Sequence, residues 1–65
     1  MKANILSING LESTLLHSFD CKNASSCKLA AERLVNDQFY YDGKFGRYSL
    51  YRSVKNNYLL QIAMR

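Results

Sequence analysis

Apolar and polar positions alternate along this chain in short segments, and each segment suits one kind of element. Residues 3–8 (ANILSI) and 11–21 (LESTLLHSFDC) flank Asn9-Gly10, a dipeptide suited to a two-residue turn because both turn positions can reach positive φ. This predicts a hairpin. In the second run Leu11, Leu15, His17, Phe19 and Cys21 occupy odd positions, while Glu12, Thr14, Ser18 and Asp20 occupy even ones. That is the period-two pattern of a half-buried strand, and only Leu16 breaks it. The competing reading is a helix over 10–19, capped by Asn9 with Glu12 at its third position and Leu11, Leu15 and Phe19 on one face. The alternation favours the strand.

Residues 24–36 (ASSCKLAAERLVN) predict a helix. Asn23 or Ser25 can cap its free amides, and Asn36 can end it in a left-handed turn. At helical spacing Ala24, Cys27, Ala31, Leu34 and Val35 form one stripe, whose small residues let the helix lie close to a sheet. Leu29 points away from it with Glu32 and Arg33.

The remaining residues predict a three-stranded meander. A turn at Asp42-Gly43 pairs Tyr40 with Phe45 and Phe39 with Gly46. A three-residue loop, Lys55-Asn56-Asn57, pairs Val54 with Tyr58, Leu50 with Ile62 and Tyr48 with Met64. It is preferred over a two-residue loop because it sorts apolar from polar side chains between the two faces. The expected core face carries Phe39, Tyr41, Tyr48, Leu50, Val54, Tyr58, Leu60, Ile62 and Met64, with Arg52 as a misfit. Leu50, Leu60 and Ile62 are expected to meet Ala31, Leu34 and Val35 of the helix. The predicted fold is a single α+β domain over residues 1–65 in the order β-β-α-β-β-β, an antiparallel sheet with one helix packed on one face.

Charge divides the chain unevenly. Residues 1–37 carry four cations and four carboxylates, so the whole net charge of +4 lies in residues 38–65, as do all five tyrosines. Sixty-five residues bury a thin core at most. The N-terminus, interrupted at Asn4, Ser7, Asn9 and Glu12, does not read as a secretory signal, and there is no apolar run long enough to span a membrane. Two cysteines are too few for a disulfide framework, so Cys21 and Cys27 are expected as free thiols of a cytoplasmic protein. His17, Cys21 and Cys27 have no common zinc spacing. No metal or cofactor is expected.

No phosphate-cradling glycine loop, paired carboxylates or convincing nucleophile and base are present, so the chain is expected not to be an enzyme. His17, the only histidine, is expected to pack at the edge of the core. The candidate functional surface is the sheet face away from the helix, where Tyr40, Phe45 and Tyr51 are expected beside Arg47, Lys55 and Arg65. Arg47 and Arg65 are expected to oppose each other, a repulsion that a bound anion relieves. Two functions fit this face. The chain could dock as an inhibitor or modulator on a protein or nucleoprotein complex, with tyrosines and arginines as anchors. Alternatively it could bind nucleic acid directly, stacking bases on the rings. The modest charge favours the first.

One short helix beginning with serine (Ser25 to Ala31), followed by tightly turned strands (Tyr48 to Val54, then Tyr58 to Met64), resembles the organisation of small phage-encoded accessory proteins of the anti-CRISPR type. The resemblance lies in the order of elements. It implies a non-enzymatic protein that blocks a nucleoprotein complex by occupying its surface. The last strand, running to Arg65, is expected to offer an edge to a second protomer, so both monomer and homodimer remain open.

Overall fold

The computed structural model describes residues 1–63. Strands β1 (Lys2–Asn9) and β2 (Glu12–Asp20) precede helix α1 (Ala24–Val35), and β3 (Phe39–Phe45), β4 (Tyr48–Ser53) and β5 (Tyr58–Ala63) follow it. All strand pairs are antiparallel, in the spatial order β2-β1-β5-β4-β3. The expected α+β order is therefore present, with one helix on one face. Because β5 lies between β1 and β4, it is not the free edge expected from its place at the end of the sequence. The edges are β2 and β3.

The helix begins and ends where its polar residues require. Asn23 accepts the Ser26 N–H at 2.9 Å through Oδ1, and Ser26 Oγ accepts the Asn23 N–H at 3.2 Å. This reciprocal box satisfies amides that have no partner inside the helix. At the other end Asn36 adopts φ 53°, a left-handed conformation that asparagine tolerates. Cys27 and Ala31 are fully buried on Ala3, Ile5, Phe39, Leu60 and Ile62 of the sheet. Leu34, expected in this core, is instead 48% exposed. It projects to one side of the small-residue stripe that contacts the sheet.

All three hairpins of the expected scheme form, but with shifted turns or register. Asn9 pairs with Glu12, so the first turn is Gly10-Leu11 rather than Asn9-Gly10, with Gly10 at φ 66°. This register sets Phe19 beside Ala3 and brings Cys21 alongside Met1, whose carbonyl accepts the Cys21 N–H at 2.9 Å. Ile5 pairs with His17 and Leu6 with Leu15, which leaves Leu16 as the extra residue of a bulge. The residue that breaks the sequence alternation is thus where the ladder itself is interrupted. His17 is exposed rather than packed at the core edge.

Asp42-Gly43 is a second bulge, not a turn. Tyr41 pairs with Tyr51 and Gly43 with Leu50, while the turn falls at Gly46-Arg47 between Phe45 and Tyr48. Gly43 and Gly46 both have positive φ, 109° and 61°, so either could have served as the turn. Turning at Gly46 extends β3 to seven residues and gives it a longer ladder.

The β4–β5 register differs from the expected one by a single residue. Ser49, not Leu50, pairs with Ile62, and Tyr51 pairs with Leu60. A slip of one inverts a whole strand, so Ser49, Tyr51 and Ser53 face the helix, and Tyr48, Leu50 and Arg52 face away. Hydrogen bonds in the loop select this register. Ser53 Oγ donates to the Asn56 carbonyl and accepts the Tyr58 N–H. The buried Asp37 accepts from Lys55 N–H and, at 2.8 Å, from Asn56 Nδ2. Val54, expected in the core, is exposed. Met64 of that expected core lies outside the described residues.

Cys21 and Cys27 form a disulfide with their Cα atoms 5.4 Å apart, within the usual range for such a bond. It ties the end of β2 to the first turns of α1 and replaces the expected free thiols. Among the described residues no cysteine is free.

Candidate binding face

The register places three rows of side chains across the sheet face opposite the helix. One row runs Tyr40, Arg52, Leu59, Leu6, Leu15 across all five strands; the next runs Gly43, Leu50, Gln61, Asn4, Ser18; the third runs Phe45, Tyr48, Ala63, Lys2, Asp20. Tyr40, Phe45 and Leu15 are exposed, and Leu50, Leu59, Leu6, Tyr48 and Ala63 are half-buried. No element of the described residues covers them. The result is a broad apolar and aromatic surface that a sheet ordinarily buries.

Its charges are balanced. Arg52 Nε lies 3.0 Å from Asp42 Oδ2, and Lys2 stands opposite Asp20 in the ladder. The bulge explains the first contact, because the additional residue brings Asp42 to the edge beside Arg52.

Of the expected binding residues, the fold brings only Tyr40 and Phe45 onto this face. Arg47 lies in the β3–β4 turn at one end of the sheet, and Lys55 in the β4–β5 loop at the other. Tyr51 is on the helix side, packed against the core, with its ring edge-on to Tyr41 at a centroid distance of 5.5 Å. Arg65 lies outside the described residues, and Arg47 has turned out of the ladder that was expected to oppose them. Tyr48 and Leu50 were expected on the core face rather than here, and Leu6 was assigned to neither face. The misfit of Arg52 was the signal that could have found the first two, since moving Arg52 to the open side moves Tyr48 and Leu50 with it.

Glu32 and Asp37 border a depression of about 330 Å³ at the C-terminal end of the helix, together with Asn36, Gln38, Val54 and Lys55. Both carboxylates already serve the backbone. Glu32 Oε2 accepts the Phe39 N–H at 2.9 Å and lies 3.1 Å from Lys28 Nζ. The Phe39 bond is the main cause holding Glu32 below its ordinary pKa; burial opposes it and Lys28 assists. For Asp37 burial is the largest influence and acts upward. Donors from the Asn56 side chain and from the Gln38, Lys55 and Asn56 backbones together outweigh it and leave the pKa lowered. Both groups are thus favoured as anions, which does not suit a proton donor near neutral pH. No group of three or more histidine, cysteine, aspartate or glutamate side chains among the described residues is arranged to hold a metal ion. No helix among them is long and apolar enough to cross a membrane.

Comparison with family models, with curated proteins and with solved structures finds no match to this chain.

Proposed function

We propose that this chain is a non-catalytic binding protein that docks on the surface of a protein or nucleoprotein assembly through the open face of its sheet. The observation that carries this reading is the composition of that face. Tyr40, Phe45, Tyr48, Leu50, Leu59 and Leu6 form an uncovered apolar surface, while its two cations are matched by Asp20 and Asp42. Aromatic anchors with few net charges suit a desolvated protein interface. Tracking a phosphate backbone calls for surplus positive charge along the contact. Lys44, Arg47 and Lys55 supply much of the C-terminal charge but lie on the edge strand, in a turn and in a loop. The element order resembles that of small phage inhibitors, and the same mode of action follows: a surface is occupied and no bond is made or broken. The expected cytoplasmic setting rested partly on free thiols. The disulfide removes that support, because such bonds persist where the surroundings oxidise thiols, so no compartment is part of the proposal.

Capture of partners with the oxidised chain, with and without nuclease, tests the reading when it is paired with the double variant Tyr40→Ala, Phe45→Ala. One stoichiometric protein should survive nuclease treatment and bind the double variant about 1–3 kcal/mol more weakly, with the thermal midpoint unchanged. Loss of every partner on nuclease treatment, with affinity falling steeply in salt, would favour nucleic acid instead. Equal binding by the double variant would remove the open face from consideration.

A further inference from the structure

The two edges of the sheet differ in what their outward backbone groups meet. On β3 the outward Phe39 N–H donates to Glu32 Oε2 at 2.9 Å, and the bulge at Asp42 interrupts that edge further along. β2 has no such cover. The Met1 ammonium donates to the Cys21 carbonyl at 2.7 Å and the Cys21 N–H to the Met1 carbonyl at 2.9 Å. At the other end of the ladder Ile8 turns its N–H away from β2, to the Asn57 carbonyl. Antiparallel alternation from these two points, with the extra residue Leu16 counted, aims the N–H and C=O groups of Ser13, Leu15, Ser18 and Asp20 outward. No described residue meets them. β2 is 9 residues long and exposed throughout except at half-buried Phe19. It carries neither lysine nor proline, residues that keep natural edges from pairing. Its bulge twists the edge without covering it.

The same strand is one wall of a groove. Phe19 and the flank of α1, at Ser26, Leu29, Ala30, Arg33 and Leu34, line a cleft of about 620 Å³. The Cys21–Cys27 bond fastens the end of β2 to the start of the helix, so the two walls are held together at one end. Leu29 is 61% exposed and Leu34 48%. Arg33 is the one charged residue lining the cleft, and it has no ion-pair partner among the described residues.

We propose that this groove binds an extended peptide segment of a partner protein. The segment adds to the free edge of β2 as a sixth strand, lodges apolar side chains at alternate positions in the cleft, and sets an acidic one beside Arg33. Only an extended backbone supplies the alternating donors and acceptors that the edge lacks, and strand addition beside an apolar groove is an established mode of peptide recognition. The spacing agrees. Alternate side chains of a strand rise on one face about 6.8 Å apart, and Leu29 and Leu34, five positions apart, are about 7.5 Å apart along the helix. A small molecule or a docked helix could fill the cleft, but either leaves the β2 amides unmet. The groove is separate from the open-face anchors Tyr40 and Phe45, which lie on β3 at the opposite edge of the sheet.

Selection from a random peptide library, about 12 residues long so as to span β2, against the oxidised full chain tests the assignment. Enriched sequences should alternate apolar residues and carry an acidic one. A selected peptide should slow hydrogen exchange at the amides of Ser13, Leu15, Ser18 and Asp20. Leu29→Glu, at an exposed position and with an unchanged circular dichroism spectrum, should weaken that peptide about tenfold, as expected for loss of an anchor contact. Arg33→Ala should remove the preference for the acidic residue. N-methylation of alternate peptide amides, which deletes donors and leaves the side chains in place, should abolish binding. The double variant Tyr40→Ala, Phe45→Ala should bind the peptide as the wild type does, whatever becomes of open-face docking. Failure to enrich any sequence overturns the proposal, as does a peptide that binds without protecting the β2 amides. Affinity unchanged by Leu29→Glu or by N-methylation overturns it equally.

Discussion

On the helix side of the sheet, β1 and β5 contribute Ala3, Ile5, Leu60 and Ile62, all fully buried, while β4 contributes Ser49, Tyr51 and Ser53. On the open side β1 and β5 contribute Leu6 and Leu59, and β4 contributes Tyr48 and Leu50. Seen strand by strand, β4 is the more polar toward the covered face and the more apolar toward the uncovered one. That inversion cannot arise from burial of this chain's own surface, because the opposite register would have buried Leu50 beneath the helix. It follows from the loop between β4 and β5, where Asp37, Ser53 and Asn56 bond to the backbone and to each other. Satisfying a buried carboxylate and the amides around it outweighs the sorting of a few half-buried leucines.

The largest expected difference between the two faces lies within β5. Ile62→Ala or Leu60→Ala removes a fully buried side chain and should cost about 2–5 kcal/mol, a large share of what a domain this small has. Leu59→Ala, on the neighbouring position but the open side, should cost less than about 1.5 kcal/mol, because much of that side chain is already hydrated. Urea denaturation of the three variants checks the contrast. Equal losses for Leu59 and Leu60 would mean that something covers the open face in the isolated protein.

A second, smaller effect belongs to the helix side alone. The Cys21–Cys27 bond closes a short ring, with a sequence separation of 6, and holds the end of β2 to α1. Loop-closure entropy for a ring of that size corresponds to about 2 kcal/mol. Reductant, or the pair Cys21→Ser and Cys27→Ser, should lower the urea midpoint accordingly and should expose the ring region first in hydrogen exchange. An unchanged midpoint after confirmed reduction would show that helix packing alone holds this corner.

What could be read in the sequence follows the physical range of each signal. Local chemistry was legible: Asn23 and Asn36 bound the helix because capping depends on residues within a turn of each other. The strand identity of 12–20 was visible in its alternation, and even the bulge was marked by Leu16. Register was not legible, because it depends on contacts distant in sequence. Asp37 bonds to Lys55 and Asn56, 18 and 19 positions away, and no periodicity encodes that. Tyr51 exchanged faces with Tyr48 and Leu50 for this reason. The cysteine pairing was missed similarly, since it rests on a hairpin register that brings Cys21 beside the helix.

The smallest effect is the most direct test of which face is which. Arg52 was a misfit in the expected core, and the observed register moves it to the open side. There it lies 3.0 Å from Asp42, with the two side chains 51% and 44% exposed. An exposed pair of this kind contributes about 0.2–1 kcal/mol, so Arg52→Leu should change stability by less than about 1 kcal/mol. Had Leu50 paired with Ile62, residue 52 would lie beneath the helix. A leucine there would bury a full side chain and relieve a desolvated charge, for a gain of about 1.5–3 kcal/mol or more. The two registers therefore predict outcomes separated by more than the error of a denaturation midpoint. A clear stabilisation by Arg52→Leu would return Tyr48 and Leu50 to the core and remove the apolar band from the open face.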